Sequence, residues 1–364
     1  MFSNPNKVAI IGSVGIPAKY GGFETLVEYL TKNLNKEIDF TVYCSAIEYE
    51  SKQESHNAAS LKYIPLKANG IQSIPYDIWS LLKVKRDTKV VLILGVACGF
   101  FLPIYKLFTK KRIILNVDGL EWKREKWGRL AKWYLKNSEK IAVRYSDIIV
   151  ADNKIIQEHV FNSYGKMAEL IEYGGDHVTP KPLTVETSSN YSFTQTDYAF
   201  KVCRIEPENN VHLILEAFSL QTKYPIVIVG NWKNSAYGLE LIKKYSSFVH
   251  IHLLDPIYNQ SILDQLRSNC IFYVHGHSAG GTNPSLVEAM FLKIPIIAFD
   301  VNYNRETTEN CGLGFFKTVS DLNLLIENIS EIEIQNSIHK ISDVANKRYR
   351  WELISQKYYS IFNN

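Results

Sequence analysis

The densest run of chemistry-bearing residues is His275-Gly276-His277-Ser278-Ala279-Gly280-Gly281-Thr282-Asn283-Pro284-Ser285-Leu286-Val287-Glu288. It reads as the end of a strand, a glycine- and hydroxyl-rich loop, and a helix from Pro284, because proline suits a first helical turn. Backbone N–H groups of Gly281, Thr282 and Asn283 could cradle a diphosphate. Glu288 lies about one turn further on and could accept two ribose hydroxyls. An ordinary helix cap at Thr282 or Asn283 is the plain alternative. A second run is Cys203-Arg204-Ile205-Glu206-Pro207-Glu208-Asn209-Asn210. Arg204 is a permanent cation at a strand end, suited to phosphate oxygens, and with the 281–284 loop it resembles the two jaws of a clamp. A third run joins Gly12 and Gly15 to Tyr20-Gly21-Gly22-Phe23-Glu24, between a strand and a helix. Glycines admit a close ligand there, and a helix N-terminus attracts an anion. The spacing is not that of a dinucleotide fingerprint. Glu24 alternatively complements the helix dipole.

These runs need strands to hold them. Apolar, β-branched runs recur at Val8–Ile11, Phe40–Tyr43, Val90–Leu94, Ile113–Val117 and Ile148–Ala151, then at Pro225–Val229, Val249–Leu254, Ile271–Val274 and Pro295–Phe299. Continuous rather than alternating runs imply strands buried on both faces, and helical spacing between them implies parallel βαβ units. Residues 177–196, rich in Thr, Pro and Ser, read as a linker. The fold class is therefore α/β, with two doubly wound Rossmann-like domains, 1–178 and 196–350, facing across a cleft. The aromatic, amphipathic tail 351–364 is expected to cross back onto the first.

The composition bounds the function classes. The chain has 364 residues, 41 Lys+Arg against 37 Asp+Glu, 46% hydrophobic and 21% charged residues. That excludes a disordered or low-complexity protein, and a net charge of +4 does not by itself argue for nucleic acid. The five cysteines form no CxxC pair, which fits reduced thiols in the cytoplasm. No secretion signal is read at the N-terminus. The uncharged stretch Val90–Tyr105 is short of the ~20 residues of a membrane span and contains Gly95, Gly99 and Pro103. It reads as a strand, a turn and a helix. Basic and aromatic residues alternate from Trp122 to Lys136. That composition suits either a solvated helix with an aromatic core face or contact with an anionic membrane surface. No Asp-x-Asp motif occurs. The pairs His250/His252 and His275/His277 have no obvious third ligand, so no metal and no cofactor are expected.

Gly21-Gly22-Phe23-Glu24, Arg204-Ile205-Glu206-Pro207-Glu208-Asn209-Asn210 and the run from Gly280 to Ala289 together resemble glycosyltransferase family 4, in a branch similar to bacterial capsule and O-antigen rhamnosyltransferases. Asn116-Val117-Asp118-Gly119-Leu120-Glu121-Trp122 resembles that branch too. The resemblance implies a GT-B fold, a nucleotide-sugar donor on the second domain, an acceptor on the first, and retention at the anomeric carbon. Glu288 matches the second glutamate of the family's E-x7-E motif. The first falls on Gly280 and is absent, leaving His277 and Ser278 as candidates for its sugar contact. Arg204 matches the arginine of the phosphate-binding pair, but the partner lysine falls on Asn209 or Asn210. Val14 stands where close relatives have a basic residue. Asp118 matches the His or Asp at the end of the fifth strand.

The resemblance thus implies a catalytic set of Asp118, Arg204 and Glu288. It implies donor contacts from Gly12, Gly15, Asn209, His277, Ser278, Gly280, Gly281, Thr282, Asn283 and Pro284, with Ile257 or Tyr258 near the base. Acceptor contacts fall on Tyr20, Gly21, Gly22, Phe23, Glu24 and Trp122. The implied partners are a nucleotide sugar, dTDP-rhamnose or a UDP-sugar, and a lipid-linked oligosaccharide. The expected location is the cytoplasm, with peripheral contact to the inner face of its membrane where the acceptor is a lipid. A sugar-nucleotide epimerase on the same fold and a non-catalytic nucleotide-sugar-binding module are the competing readings.

Overall fold

The computed structural model describes residues 6–19, 21–117, 119–124 and 127–363. Asp118 and Tyr20 lie outside the described residues. The chain divides into two compact units, one of residues 1–123, 127–173 and 351–364, the other of 124–126 and 174–350.

The first unit runs β1 (Asn6–Ile11), α1 (Gly22–Leu34), β2 (Ile38–Ser45), β3 (Ser55–His56), β4 (Ala59–Ile64), α2 (Ser73–Lys83), β5 (Val90–Leu94), α3 (Leu102–Phe108), β6 (Arg112–Val117), α4 (Arg129–Tyr145), β7 (Ile148–Ala151), α5 (Lys154–Tyr164) and β8 (Glu169–Leu170). Its sheet has the order β3-β4-β2-β1-β5-β6-β7-β8. Among the described residues only β3 runs antiparallel to its neighbour. β1 pairs with β2 on one side and β5 on the other, so the strand order reverses at the β1–β5 boundary. In open α/β sheets that reversal is where ligands bind, beyond the carboxyl ends of the strands.

The second unit runs α6 (Val185–Asn190), β9 (Ala199–Val202), α7 (Val211–Ser219), β10 (Ile226–Val229), α8 (Ala236–Tyr245), β11 (Ile251–Leu254), α9 (Gln260–Ser268), β12 (Phe272–His275), α10 (Pro284–Phe291), β13 (Ile296–Phe299), α11 (Asn302–Thr307), β14 (Gly314–Phe316), α12 (Val319–Glu327) and α13 (Glu331–Arg348). All its strands are parallel, in the order β11-β10-β9-β12-β13-β14, and the reversal lies between β9 and β12. Neighbouring residues of one strand alternate between two cores. Phe200, Val227 and Tyr273 face one cluster with α10 and α13, while Ala199, Ile228 and Val274 face another with α7 and α12. Burial on both faces is why these strands lack a polar stripe.

Three expectations change. The unit boundary falls at Tyr173–Gly174 rather than at 178. The stretch read as a linker, 177–196, belongs to the second unit and carries α6, whose first turn is capped by the Thr184 hydroxyl accepting the Thr187 amide. A cap satisfies a first-turn donor and favours helix where composition alone suggests coil. β4 and β14 complete the sheets, although neither shows as an apolar run.

The last helix, α14 (Trp351–Asn363), belongs to the first unit. Trp351, Ile354, Tyr358, Ile361 and Phe362 join its core. Among the described residues no helix is long and apolar enough to cross a membrane.

Candidate active site

Each unit places its glycine-rich loop at the carboxyl end of strands flanking its strand-order reversal. In the first unit the glycines answer to local packing. Gly12 has φ +90°, and a Cβ there would lie 2.1 Å from the Leu94 carbonyl oxygen. At Gly15, φ is +123° and a Cβ would lie 2.5 Å from the Cys44 sulfur. An L side chain is therefore excluded whether or not a ligand binds. Glu24 does more than complement a dipole: its Oε1 accepts the Val14 amide at 2.6 Å. A side chain on Gly21, φ +135°, would collide with that carboxylate. Gly22 opens α1, and Phe23 packs against the core beside Gly95. Trp122 is pinned by its Nε1 donating to Glu139 at 3.1 Å. Glu139 is buried and also engages His159 and the Tyr164 hydroxyl.

In the second unit two loops meet over the β9–β12 boundary. The Ser278 amide and hydroxyl both donate to the Glu208 carbonyl, at 2.8 and 3.0 Å. Asn210 Nδ2 donates to the Gly276 carbonyl at 2.9 Å. Asn304 holds the His277 carbonyl from α11. Asn209 is buried and donates to the Arg204 carbonyl at 2.5 Å. It therefore braces the turn that carries Arg204. Arg204 stays about half exposed, and its nearest acid, Glu206, is 3.9 Å away. An exposed pair that long contributes little and leaves the guanidinium free for a ligand.

Gly280 has φ +130° with open space around its Cβ position, so its backbone conformation rather than crowding calls for glycine. Gly281 and Thr282 lead into Asn283, the N-cap of α10, with Pro284 in the first turn. No side chain caps that turn. Pro284 has no N–H, and the Leu286 and Val287 amides both donate to the Asn283 carbonyl, at 3.1 and 3.2 Å. Ile257 packs against the core, while Tyr258 is largely exposed.

Glu288 is the most firmly held acid of the set. Arg267 Nη1 meets its Oε2 at 2.5 Å, and His177 Nε2 lies 3.2 Å from its Oε1. Arg267 is itself buried and bonds Asp264 at 2.9 Å. Burial alone would raise the Glu288 pKa, but Arg267 and His177 more than offset it and hold the carboxyl at about 2. The result is a fixed, ionised acceptor with a free lone pair on each oxygen, suited to hydroxyl groups. Sequence reasoning missed Arg267, Asp264 and His177.

Residues 5–176 match a domain of unknown function (DUF1972), and residues 187–349 match Glycosyl transferases group 1. No curated protein matches. Among solved structures the chain is similar to sucrose-phosphate synthase from Thermosynechococcus elongatus, with TM-score 0.80 and 13% identity over 98% of each chain. It is similar to Anabaena HepE in complex with UDP-glucose, with TM-score 0.75 and 14% identity over 99% of this chain and 100% of that one. A glycosyltransferase from Rickettsia africae matches with TM-score 0.71 and 13% identity over 99% and 98%. The group 1 match across the second unit supports a glycosyltransferase, and the structural neighbours show the fold.

Proposed function

We propose that this chain transfers a sugar from a nucleotide donor, with retention at the anomeric carbon, to a lipid-linked oligosaccharide of a bacterial surface polysaccharide such as capsule or O-antigen. The observation that carries the reading is Glu288, ionised and clamped one turn inside α10, beside the 281–283 loop and the free Arg204. The carboxylate holds the ribose. Arg204 and the backbone N–H groups of Gly281, Thr282 and Asn283 stabilise charge on the departing diphosphate, which is where such donors lower the barrier. The leaving phosphate takes the acceptor proton, so no separate base is needed. Asp118 orients the acceptor on the first unit.

The donor sugar we infer is L-rhamnose from dTDP-β-L-rhamnose, because glycine stands at position 280 as in the rhamnosyltransferase-like branch. A UDP-hexose is the second reading, favoured by the similarity to a protein whose structure holds UDP-glucose. Thermal shift against dTDP-, UDP- and GDP-sugars tests both. A donor at ~100 times its Kd should add about 2.7 kcal/mol, a shift of several degrees. Selective stabilisation by dTDP-rhamnose supports the first reading and by a UDP-hexose the second. The absence of any shift would remove the nucleotide-sugar reading.

A lipid-linked acceptor is supported by exposed apolar side chains of the first unit. Trp79 and Leu82 of α2, Leu107 and Phe108 of α3, and Leu130 and Trp133 of α4 are all exposed. Exposed Lys83, Lys85, Arg86, Lys110, Arg129 and Lys136 accompany them. Apolar anchors among cations suit an anionic bilayer surface. The chain is expected to sediment with vesicles containing phosphatidylglycerol and to lose that binding at high salt. Equal recovery with neutral vesicles would count against it.

A further inference from the structure

The first unit has a cavity at the amino ends of β5 and β6, the opposite end of these strands from its glycine-rich loop. Its volume is about 890 Å³, within the range of small-ligand sites. Arg86 and Lys89 line it from the turn before β5, Lys110 and Lys111 from the turn before β6, and Arg112 from the first residue of β6. No Asp or Glu is among its described lining residues. The nearby acids are already engaged. Asp87 pairs with Lys7 at 2.5 Å, and Asp147 with Lys106 at 2.7 Å.

Helix ends account for two of these cations. α2, α3 and α14 all finish at this end of the sheet, and the carbonyls of a last turn attract positive charge. Arg112 Nη2 donates to the Ile361 and Phe362 carbonyls of α14, at 2.7 and 2.5 Å. Lys111 Nζ donates to the Lys85, Arg86 and Thr88 carbonyls, at 2.6, 3.1 and 2.7 Å, and so clips the turn after α2. The other three have no such use. Arg86, Lys89 and Lys110 are exposed, and among the described residues their side chains make no hydrogen bond or ion pair. Like charges gathered in one cavity repel each other and raise the local concentration of anions.

The rim narrows the kind of anion. Phe108, the last residue of α3, lines the cavity and is 85% exposed, and Leu107 beside it is 80% exposed. A small soluble anion gains nothing from such groups, whereas a lipid brings hydrocarbon to cover them. A phosphate monoester carries a charge of about −1.5 to −2 and three strong acceptor oxygens, which matches three unpaired cations. We propose that this cavity binds the terminal phosphate of a lipid phosphate monoester, with Arg86, Lys89 and Lys110 on the phosphate and Leu107 and Phe108 in the acyl boundary. The inference rests on the membrane reading above and names the lipid chemistry that the first unit recognises.

The test is vesicle flotation of the full chain. Phosphatidylcholine vesicles carry either phosphatidic acid or phosphatidylglycerol, matched in zeta potential, so that general attraction to charge is equal. Wild type should prefer phosphatidic acid. The triple variant Arg86→Gln, Lys89→Gln, Lys110→Gln should lose that preference and bind phosphatidic acid vesicles about 100-fold more weakly, about fivefold for each charge removed. All three side chains are exposed, so its melting temperature should not change. A control triple outside the cavity, Lys83→Gln, Arg129→Gln, Lys136→Gln, should weaken binding to both vesicles alike and keep the preference. Equal binding of the two vesicles by wild type, with equal losses in both triples, would overturn the proposal and leave the membrane reading standing. Binding of glycerol 1-phosphate that the cavity triple abolishes, with no vesicle binding, would overturn the lipid as its source and the membrane reading with it. No binding of vesicles or of glycerol 1-phosphate would overturn both readings.

Discussion

Replacing Arg267 by methionine is expected to lower the unfolding midpoint by on the order of 10 °C and to weaken donor binding in the same variant. The reason is the position of Arg267 between two acids. Its Nη1 holds Glu288 and its Nη2 holds Asp264, and the guanidinium is almost wholly out of solvent. Removing one member of a buried ion network leaves the rest uncompensated and costs about 3–5 kcal/mol. Lys181, 3.7 Å from Asp264, reaches only that acid and cannot take over at Glu288. Glu288 keeps His177 but loses the contact that fixes its oxygens, so the donor loses a positioned acceptor.

The same pairing sets an acid dependence. The folded-state pKa of Glu288, about 2, lies below its ordinary value of 4.5. Its contribution is therefore complete above about pH 4.5 and disappears as the pH falls toward 2. Wild type should lose stability through that window, and the Arg267 variant should lose less. Chemical denaturation at pH 7 and pH 3 checks both statements. A variant with wild-type stability at pH 7 would show that the network is not what holds this end of α10. The double variant with Glu288→Gln should cost less than the sum of the singles, because both remove the same interaction.

Sequence reading and structure part company at definable places. β5 and β6 occupy the runs Val90–Leu94 and, with one residue added, Ile113–Val117, because strands covered on both faces need nothing but apolar residues. β4 escapes the pattern because Ser60 and the exposed Lys62 interrupt its apolar residues near the sheet edge. β14 is three residues long, too short to show any period. In the site, contiguity decided what was visible. Glu288 and the 280–284 loop are one stretch of sequence, so their types and spacing can be read together. Arg267 comes from another helix, and Asp264 with Arg267 at i,i+3 has the spacing of an ordinary surface pair. Only packing shows that both are buried. Lys201 did leave a signal, a single charge inside Tyr198-Ala199-Phe200-Lys201-Val202. A charge in a strand covered on both faces needs a partner, and among the described residues the Lys201 amine has no hydrogen-bond partner.

Trp351→Ala is expected to destabilise the first unit by about 3–5 kcal/mol and to cut transfer activity with it. The tail has its effect through the core. Trp351 stacks on Tyr29 of α1 at 4.7 Å and meets the Tyr173 ring edge-on at 4.9 Å. Such ring pairs add about 0.5–1.5 kcal/mol each beyond the area they bury. Removing the indole opens a cavity between α1 and α14 where the surrounding rings cannot collapse. Further along the same helix the Tyr358 hydroxyl accepts from Asn116 Nδ2 at 2.7 Å. Asn116 sits near the carboxyl end of β6, two residues before Asp118. The tail thus braces the strand that precedes the proposed acceptor-orienting acid in the sequence. Tyr358→Phe separates that role from bulk stability. It keeps the ring, strips a buried amide of its acceptor, and should cost only about 1–3 kcal/mol. If the brace positions Asp118, this milder variant should lower kcat while leaving the KM for the donor unchanged, since the donor loops lie in the other unit. Equal proportional losses in kcat and donor affinity would assign α14 a purely structural part. Denaturation midpoints measured beside the kinetics decide between the two.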